Sequence, residues 1–232
     1  MIRAVLFDVG GTLAVGELNK KIYQQGMLDL LESFGLRVSG RELRQAVGVA
    51  MNQLNQLRAK HLEMDFREFR RLTLLRLGIT PTDELLEAMA SLYYRCFKIE
   101  PAPGCREVLD TLSKRYLLGV VSNTMSLASK RFLEANGLSG YFKAQVYSGE
   151  VGYRKPHPKI FQIALERLGT SPAETVHVGN LPGEDVKGPK ALGMRAILLR
   201  GHDPEADAVI HSLTELPEVL KRLEGSEGGA VL

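Results

Sequence analysis

The chain has 232 residues, 44% of them hydrophobic and 25% charged, with a formal charge of +3 at pH 7. Such values suit a soluble globular protein whose core needs no staples, and the mild charge, without a dense Lys/Arg run, gives no footprint for nucleic acid or an anionic membrane surface. Cys96 and Cys105 stand too far apart for a CxxC redox or zinc pair and suit free thiols in a reducing, cytoplasmic setting, while no stretch approaches a membrane span and the first apolar run is too short for a signal peptide.

The opening MIRAVLFDVGGTL predicts a buried strand over residues 4–7. Asp8 follows directly, then Gly10 and Gly11. A carboxylate at the end of a buried strand, beside glycines that let the backbone turn, sits where open α/β sheets place their chemistry. Asp8 is therefore the first candidate nucleophile or metal ligand.

The interval 18–97 contains no convincing strand. Apolar residues recur at helical spacing through Ile22, Leu28, Leu31 and Phe34, and again through Leu43, Val47, Met51 and Leu54. The same spacing runs through Phe66, Phe69, Leu72 and Leu75 and then Leu85, Met89, Leu92 and Tyr93, with breaks at 35–40 and 78–82. This reads as a bundle of about four helices inserted between the first two strands of an α/β core. The expected division is a core of residues 1–16 and 99–232 and an all-helical domain of residues 17–98.

Further strands are expected at 117–121, 144–147, 176–178 and 196–199, with a weaker one at 208–210. They alternate with helical patterns at 106–114, 127–136, 158–168 and 185–192, and a helix over 213–223 closes the fold. Gly137, Gly169 and Gly193 each follow a helix, where glycine takes a left-handed cap cheaply. The tail 225–232 reads as frayed. Strands alternating with helices argue for a Rossmann-like parallel sheet covered on both faces.

Four chemistry-bearing segments follow four of these strands: FDVGGTL with Asp8 and Thr12, VVSNT with Ser122 and Asn123, GYRKPHPKIF with Lys155, and HVGNLPGEDVKGPKALGM with Asn180, Glu184 and Asp185. The carboxyl ends of parallel strands share one crevice. A carboxylate, a hydroxyl, a lysine and further oxygen donors converging there suit phosphoryl transfer, with the carboxylate as nucleophile and cations neutralising the transferred charge. By default Lys155 is a solvated surface charge, Asn180 a turn residue beside Pro182, and Asp185 a helix cap. His157 and His177 read as structural rather than acid–base groups.

Together, FDxxGTL, hhhSN, KPxPxxF and VGNxxxxDVxGPxALGM resemble the haloacid dehalogenase-like hydrolases with a helical cap of the C1 type, over essentially residues 2–223. The resemblance implies Asp8 as a nucleophile forming an aspartyl intermediate and Ser122 as the hydroxyl binding the transferring group, helped by the Asn123 and Thr124 amides. It implies Lys155 as the neutralising lysine and a substrate contact, with Thr12 and Asn123 beside it. Mg2+ would be held by Asp8, the Gly10 carbonyl, Asn180 and Asp185, the last directly or through water.

Two positions depart from the pattern. Phosphatase members carry an aspartate at the place of Gly10, which protonates the leaving oxygen and activates water, and their fourth motif begins Gly-Asp rather than Gly179–Asn180. Glu184 is a compensating ligand candidate. The leading expectation is a Mg2+-dependent phosphatase acting on a small phosphorylated molecule, as a monomer or homodimer. The alternatives are a haloacid dehalogenase-like hydrolase that needs neither metal nor second aspartate, and a binding or regulatory module without turnover.

Overall fold

The computed structural model describes residues 1–225; the expected frayed tail lies, beyond Gly225, outside the described residues. β1 (Ala4–Phe7) is buried at every residue. β2 (Ala14–Leu18) then leads out to α1 (Lys20–Ser33), α2 (Gly40–Arg58), α3 (Phe66–Arg76) and α4 (Asp83–Cys96), and β3 (Phe97–Pro101) returns. The alternating part follows as α5 (Cys105–Leu112), β4 (Leu117–Ser122), α6 (Ala128–Ala135), β5 (Phe142–Tyr147), the short α7 (Ser148–Val151) and α8 (Pro158–Leu168). It continues through β6 (Thr175–Gly179), α9 (Lys187–Ala191), β7 (Arg195–Leu199), β8 (Ala208–Ile210) and α10 (Leu216–Gly225).

Six strands form one sheet in the order β5-β4-β1-β6-β7-β8, and every pairing is parallel. Its two faces bury separate apolar clusters. Val5 and Phe7 pack with α5, α6 and α10 side chains such as Leu109, Phe132 and Leu220. Ala4 and Leu6 point the other way, onto Ile160, Phe161 and Ala164 of α8. This two-sided burial explains the unbroken apolar runs of the central strands. β1 lies between β4 and β6, with Phe7 level with Val120 and Val178. The connections diverge to opposite sides there, so the crevice beyond β1 is the topological switch point where open α/β sheets bind ligands.

The four inserted helices start where local chemistry starts them. Asn19, Ser39, Asp65 and Thr82 each accept a hydrogen bond from the backbone N–H three residues on, and Ser39 with Glu42 closes a reciprocal capping box. Their apolar faces meet in a cluster including Met27, Leu31, Leu74, Leu85 and Met89. Gly137, Gly169 and Gly193 take the expected left-handed conformation at φ 62, 65 and 81°.

The β2–β3 ribbon and the start of α9 differ from expectation. β2 and β3 pair antiparallel, Leu18 with Phe97, where no strand was expected; both are short and largely exposed, so neither carries a period-two apolar signal. The helix expected at 185–192 begins only at Lys187, after a wide turn over residues 182–186 in which the Lys187 N–H reaches back to the Pro182 carbonyl. That wider turn rotates Asp185 inward.

Candidate active site

Asp8 continues β1 by donating its N–H to the Val178 carbonyl at 2.9 Å. Ser122 ends the adjacent β4. Lys155 arrives on the loop before α8, and Asp185 on the wide turn after β6. Lys155 is 1% exposed, so the default of a solvated surface charge does not hold. Its Nζ donates to Asp8 Oδ1 at 2.8 Å and to Asp185 Oδ1 at 2.6 Å. Asp185 receives three further hydrogen bonds: from His177 Nε2 at 2.9 Å to Oδ1, and from the Asn180 and Leu181 N–H groups at 3.0 and 2.9 Å to Oδ2. Gly179 makes this approach possible, because a Cβ there would lie 2.1 Å from Asp185 Cγ.

The electrostatics follow from burial. Desolvation pushes the Asp8 carboxyl up to about 6, against the pull of Lys155 and with the push of Asp185. Burial also disfavours the Asp185 charge, but Lys155 and His177 outweigh it and hold that carboxyl well below the usual range. The same pairing keeps Lys155 above its ordinary value despite its burial. Burial pushes His177 down, so it stays neutral and donates to Asp185.

Asn123 acts as a clasp. Its side chain accepts from the Lys155 N–H at 2.7 Å and donates to the Lys155 carbonyl at 3.0 Å and to Glu184 Oε2 at 2.7 Å. Glu184 Oε1 accepts from Arg154 at 2.9 Å. Ser122 Oγ lies 3.3 Å from Ser129 Oγ, and the Thr124 N–H is taken by the Ser122 carbonyl. Thr12 is fully buried and turns its hydroxyl to Asn180 Oδ1 at 3.5 Å. Gly11, at φ +82°, packs against that amide so closely that a Cβ would lie 2.5 Å from Asn180 Nδ2. Gly10, by contrast, is exposed, with nothing within 4 Å of an added Cβ.

A cavity of about 300 Å3 opens over this cluster. Asp8, Gly10, Ser122, Asn123 and Glu184 line it from the sheet side; Arg58, Tyr93, Phe97 and Ile99 line it from the helices and β3. Lys155 and Asp185 stand behind Asp8, and Thr12 and Asn180 lie outside the lining. Arg58, Arg154 and Glu63 were not singled out from sequence. Arg154 sits in the quoted GYRKPHP segment, but nothing local distinguishes Arg58 or Glu63 from surface charges.

Charge and donor chemistry fit a hard cation here. Asp8 and Asp185 bring two carboxylates against the one cation of Lys155, and burial, with a smaller push from Asp185, leaves the Asp8 charge disfavoured in the absence of a further cation. The exposed donors are oxygens, which Mg2+ prefers, and Mg2+ keeps several waters rather than demanding a full protein cage. That tolerance is needed, since among the described residues no three His, Cys, Asp or Glu side chains converge as a metal centre. Asp185 accepts four hydrogen bonds, which fill its lone-pair positions. It is placed to hold Lys155, and these four bonds leave no lone pair for a metal or for a metal-bound water.

Fold and site together are those of a hydrolase built on a parallel sheet flanked by helices, with a helical insertion after its first strand. The chain belongs to the haloacid dehalogenase-like hydrolases, whose family model matches residues 2–193. It is 31% identical over 235 residues to a glyceraldehyde 3-phosphate phosphatase of Methanothermobacter thermautotrophicus, covering 95% of this chain and 100% of that one. Among solved structures it is similar to a HAD phosphatase from Thermococcus onnurineus, at TM-score 0.67 and 29% identity over 94% of this chain and 98% of that one. It is also similar to a 2-haloacid dehalogenase from Pseudomonas syringae pv. Tomato, at TM-score 0.74 and 26% identity over 96% and 100%.

Proposed function

We propose that the chain is a Mg2+-assisted phosphatase acting on a small phosphorylated molecule through an aspartyl-phosphate on Asp8. The observation that carries this reading is the buried Asp8–Lys155–Asp185 cluster opening, through Asp8, onto a small cavity. The similarity to a glyceraldehyde 3-phosphate phosphatase along nearly the whole chain supports it. Residues 17–98 serve as a cap over a core of residues 1–16 and 99–232.

Lys155 holds Asp8 Oδ1 and so orients the other carboxylate oxygen for attack on phosphorus. The bond from Asp8 to phosphorus forms as the bond to the leaving oxygen breaks. Lys155 and the Ser122 hydroxyl stabilise the charge gathering on the phosphoryl oxygens. Asp185 stays ionised and keeps Lys155 protonated and fixed, while His177 holds Asp185 in place. The Asp8 carboxylate, the Gly10 carbonyl and the Asn180 amide oxygen would hold Mg2+, which when bound withdraws charge from the phosphoryl group. The helical side of the cavity excludes water during attack.

Gly10 supplies no proton to the leaving oxygen. The other carboxylate at the cavity, Glu184, is tied to Arg154 and Asn123. Substrates whose leaving groups depart without protonation, such as aryl and acyl phosphates, are therefore the better ones. The similarity to a 2-haloacid dehalogenase favours a second reading, attack of Asp8 on carbon. Assays of phosphate and halide release, with Mg2+ and with chelator, separate the two. Metal-dependent phosphate release is expected; metal-independent halide release from haloacids would replace the first reading with the second, and silence in both would leave a binding module.

A further inference from the structure

Arg58, the last residue of α2, is the cationic side chain that lines the cavity from the helical side. It is held by Glu63, whose carboxylate accepts from Arg58 Nε at 3.1 Å and Nη2 at 3.2 Å. The two differ sharply in exposure: the Arg58 side chain is 32% exposed and that of Glu63 is 0%. The carboxylate thus lies behind the guanidinium, and the face turned to the cavity is positive.

Glu63 is itself fixed from the sheet side. Arg154 Nη1 and Ser148 Oγ each approach Glu63 Oε2 at 3.4 Å, and the Glu63 N–H donates to the Gly152 carbonyl at 2.9 Å. Burying a carboxylate is expensive unless it is well partnered, and this one is partnered by two arginines. The effect is a pre-oriented Arg58 with one edge of its fork used and the Nη1 edge left over. A guanidinium edge is matched in shape by a planar carboxylate. Glu184, the cavity's other acid beyond Asp8, is ion-paired at 2.9 Å with Arg154, which it shares with Glu63. Tyr93, Phe97 and Ile99 give the rest of this wall an aromatic and apolar surface.

We propose that Arg58 forms a subsite for a second anionic group, a carboxylate, on the substrate, so that the preferred substrates are small phosphorylated acids. The phosphoryl group lies at Asp8, the carbon chain against Tyr93 and Phe97, and the carboxylate on Arg58. This deepens the phosphatase reading and rests on it.

The test uses the full chain with Mg2+ and reads competitive inhibition of p-nitrophenyl phosphate hydrolysis, which does not require turnover of the competitor. The probes are 3-phosphoglycerate and glycerol 3-phosphate, of equal chain length but with and without the carboxylate. A charge-assisted hydrogen bond predicts a Ki lower by about tenfold or more for the acid. Arg58→Met should bring the two Ki values within about threefold, and Arg58→Lys should keep part of the difference. Because Arg58→Met leaves buried Glu63 short of a partner, the double variant Arg58→Met/Glu63→Gln is measured beside it and should lose the preference equally. Equal Ki values in the wild type, or a preference that survives Arg58→Met, overturn the subsite while leaving the phosphatase reading standing. If the aryl phosphate is not hydrolysed, that reading fails, and calorimetric binding of 3-phosphoglycerate decides the subsite alone. A Kd raised about tenfold in Arg58→Met supports it, and an unchanged Kd overturns it.

Discussion

On the sheet side of the cavity, Asp8, Lys155, Asp185 and His177 are almost wholly buried and each is hydrogen-bonded to the next. On the helical side, Arg58, Tyr93 and Phe97 are half-buried, and the wall is mostly aromatic and apolar. The first surface is set by charges that cannot move apart without leaving a buried ion unpaired. The second is set by packing and by one arginine, and its composition can change without disturbing the first. Rate should therefore depend on the sheet side and substrate preference on the helical side.

The largest expected effect is on the proposed nucleophile. Asp8→Asn should lower phosphate release from an aryl phosphate by about 10⁴-fold or more, as loss of a covalent nucleophile does elsewhere. The same substitution should stabilise the metal-free protein at pH 7. The folded chain binds the Asp8 proton near pH 6 and the unfolded chain near 3.8, so between these values the folded state holds more protons and stability falls as pH rises. Asparagine removes that loss. The gain, up to about 3 kcal/mol, is complete above pH 6 and gone below about pH 4; urea melts at several pH values read it. A variant less stable than wild type at pH 7 would show that Lys155 needs Asp8 more than burial penalises it.

Gly10→Asp tests the missing proton donor. Nothing lies within 4 Å of a Cβ there and the backbone is not left-handed, so folding should be unchanged. Single-turnover cleavage of an alkyl phosphate should rise by about 10²–10⁴-fold, the usual span for general acid–base catalysis, with a smaller gain for an aryl phosphate. If the wild type already cleaves both esters equally fast, another group donates the proton. Asn180→Asp should tighten Mg2+ binding by calorimetry, since it adds a charge to a neutral donor; equal affinity would place Asn180 away from the ion.

Lys155→Met leaves two buried carboxylates facing each other and should lower unfolding free energy by about 3–5 kcal/mol. Gly11→Ala should lower it by about 1–3 kcal/mol, because its backbone is left-handed and Asn180 fills the space. The contrast with neighbouring Gly10 separates a conformational requirement from a chemical vacancy. The smallest effect is on the helical side: Ser39→Ala breaks the α2 capping box at about 1 kcal/mol and should leave the kinetics of every substrate unaltered.

Local pattern carried much of the architecture. The buried strands are legible because both of their faces are covered, so their apolar runs are unbroken; the inserted helices are legible because each buries one stripe and begins at a side-chain cap. The β2–β3 ribbon left no such trace. Its pairing joins Leu18 to Phe97 across four helices, and its residues are largely exposed. Asp185 was legible as a candidate through its motif, but not its direction, because a wide turn replaced the expected helix start.

The order of the six sheet strands and of the inserted helices, the positions of Asp8, Ser122, Lys155 and Asp185, and the departures at Gly10 and Asn180 were determined by the sequence alone. These are properties of segments, set by side-chain period, turn chemistry and motif. What only the tertiary structure decided is how the charged side chains around the cavity share out their partners. Lys155 divides itself between Asp8 and Asp185, Asp185 spends its oxygens on that lysine and on His177, and Glu63 turns Arg58 to the cavity. Such assignments depend on distances and on exclusion of water, and neither exists until the sheet and the helices have closed around them.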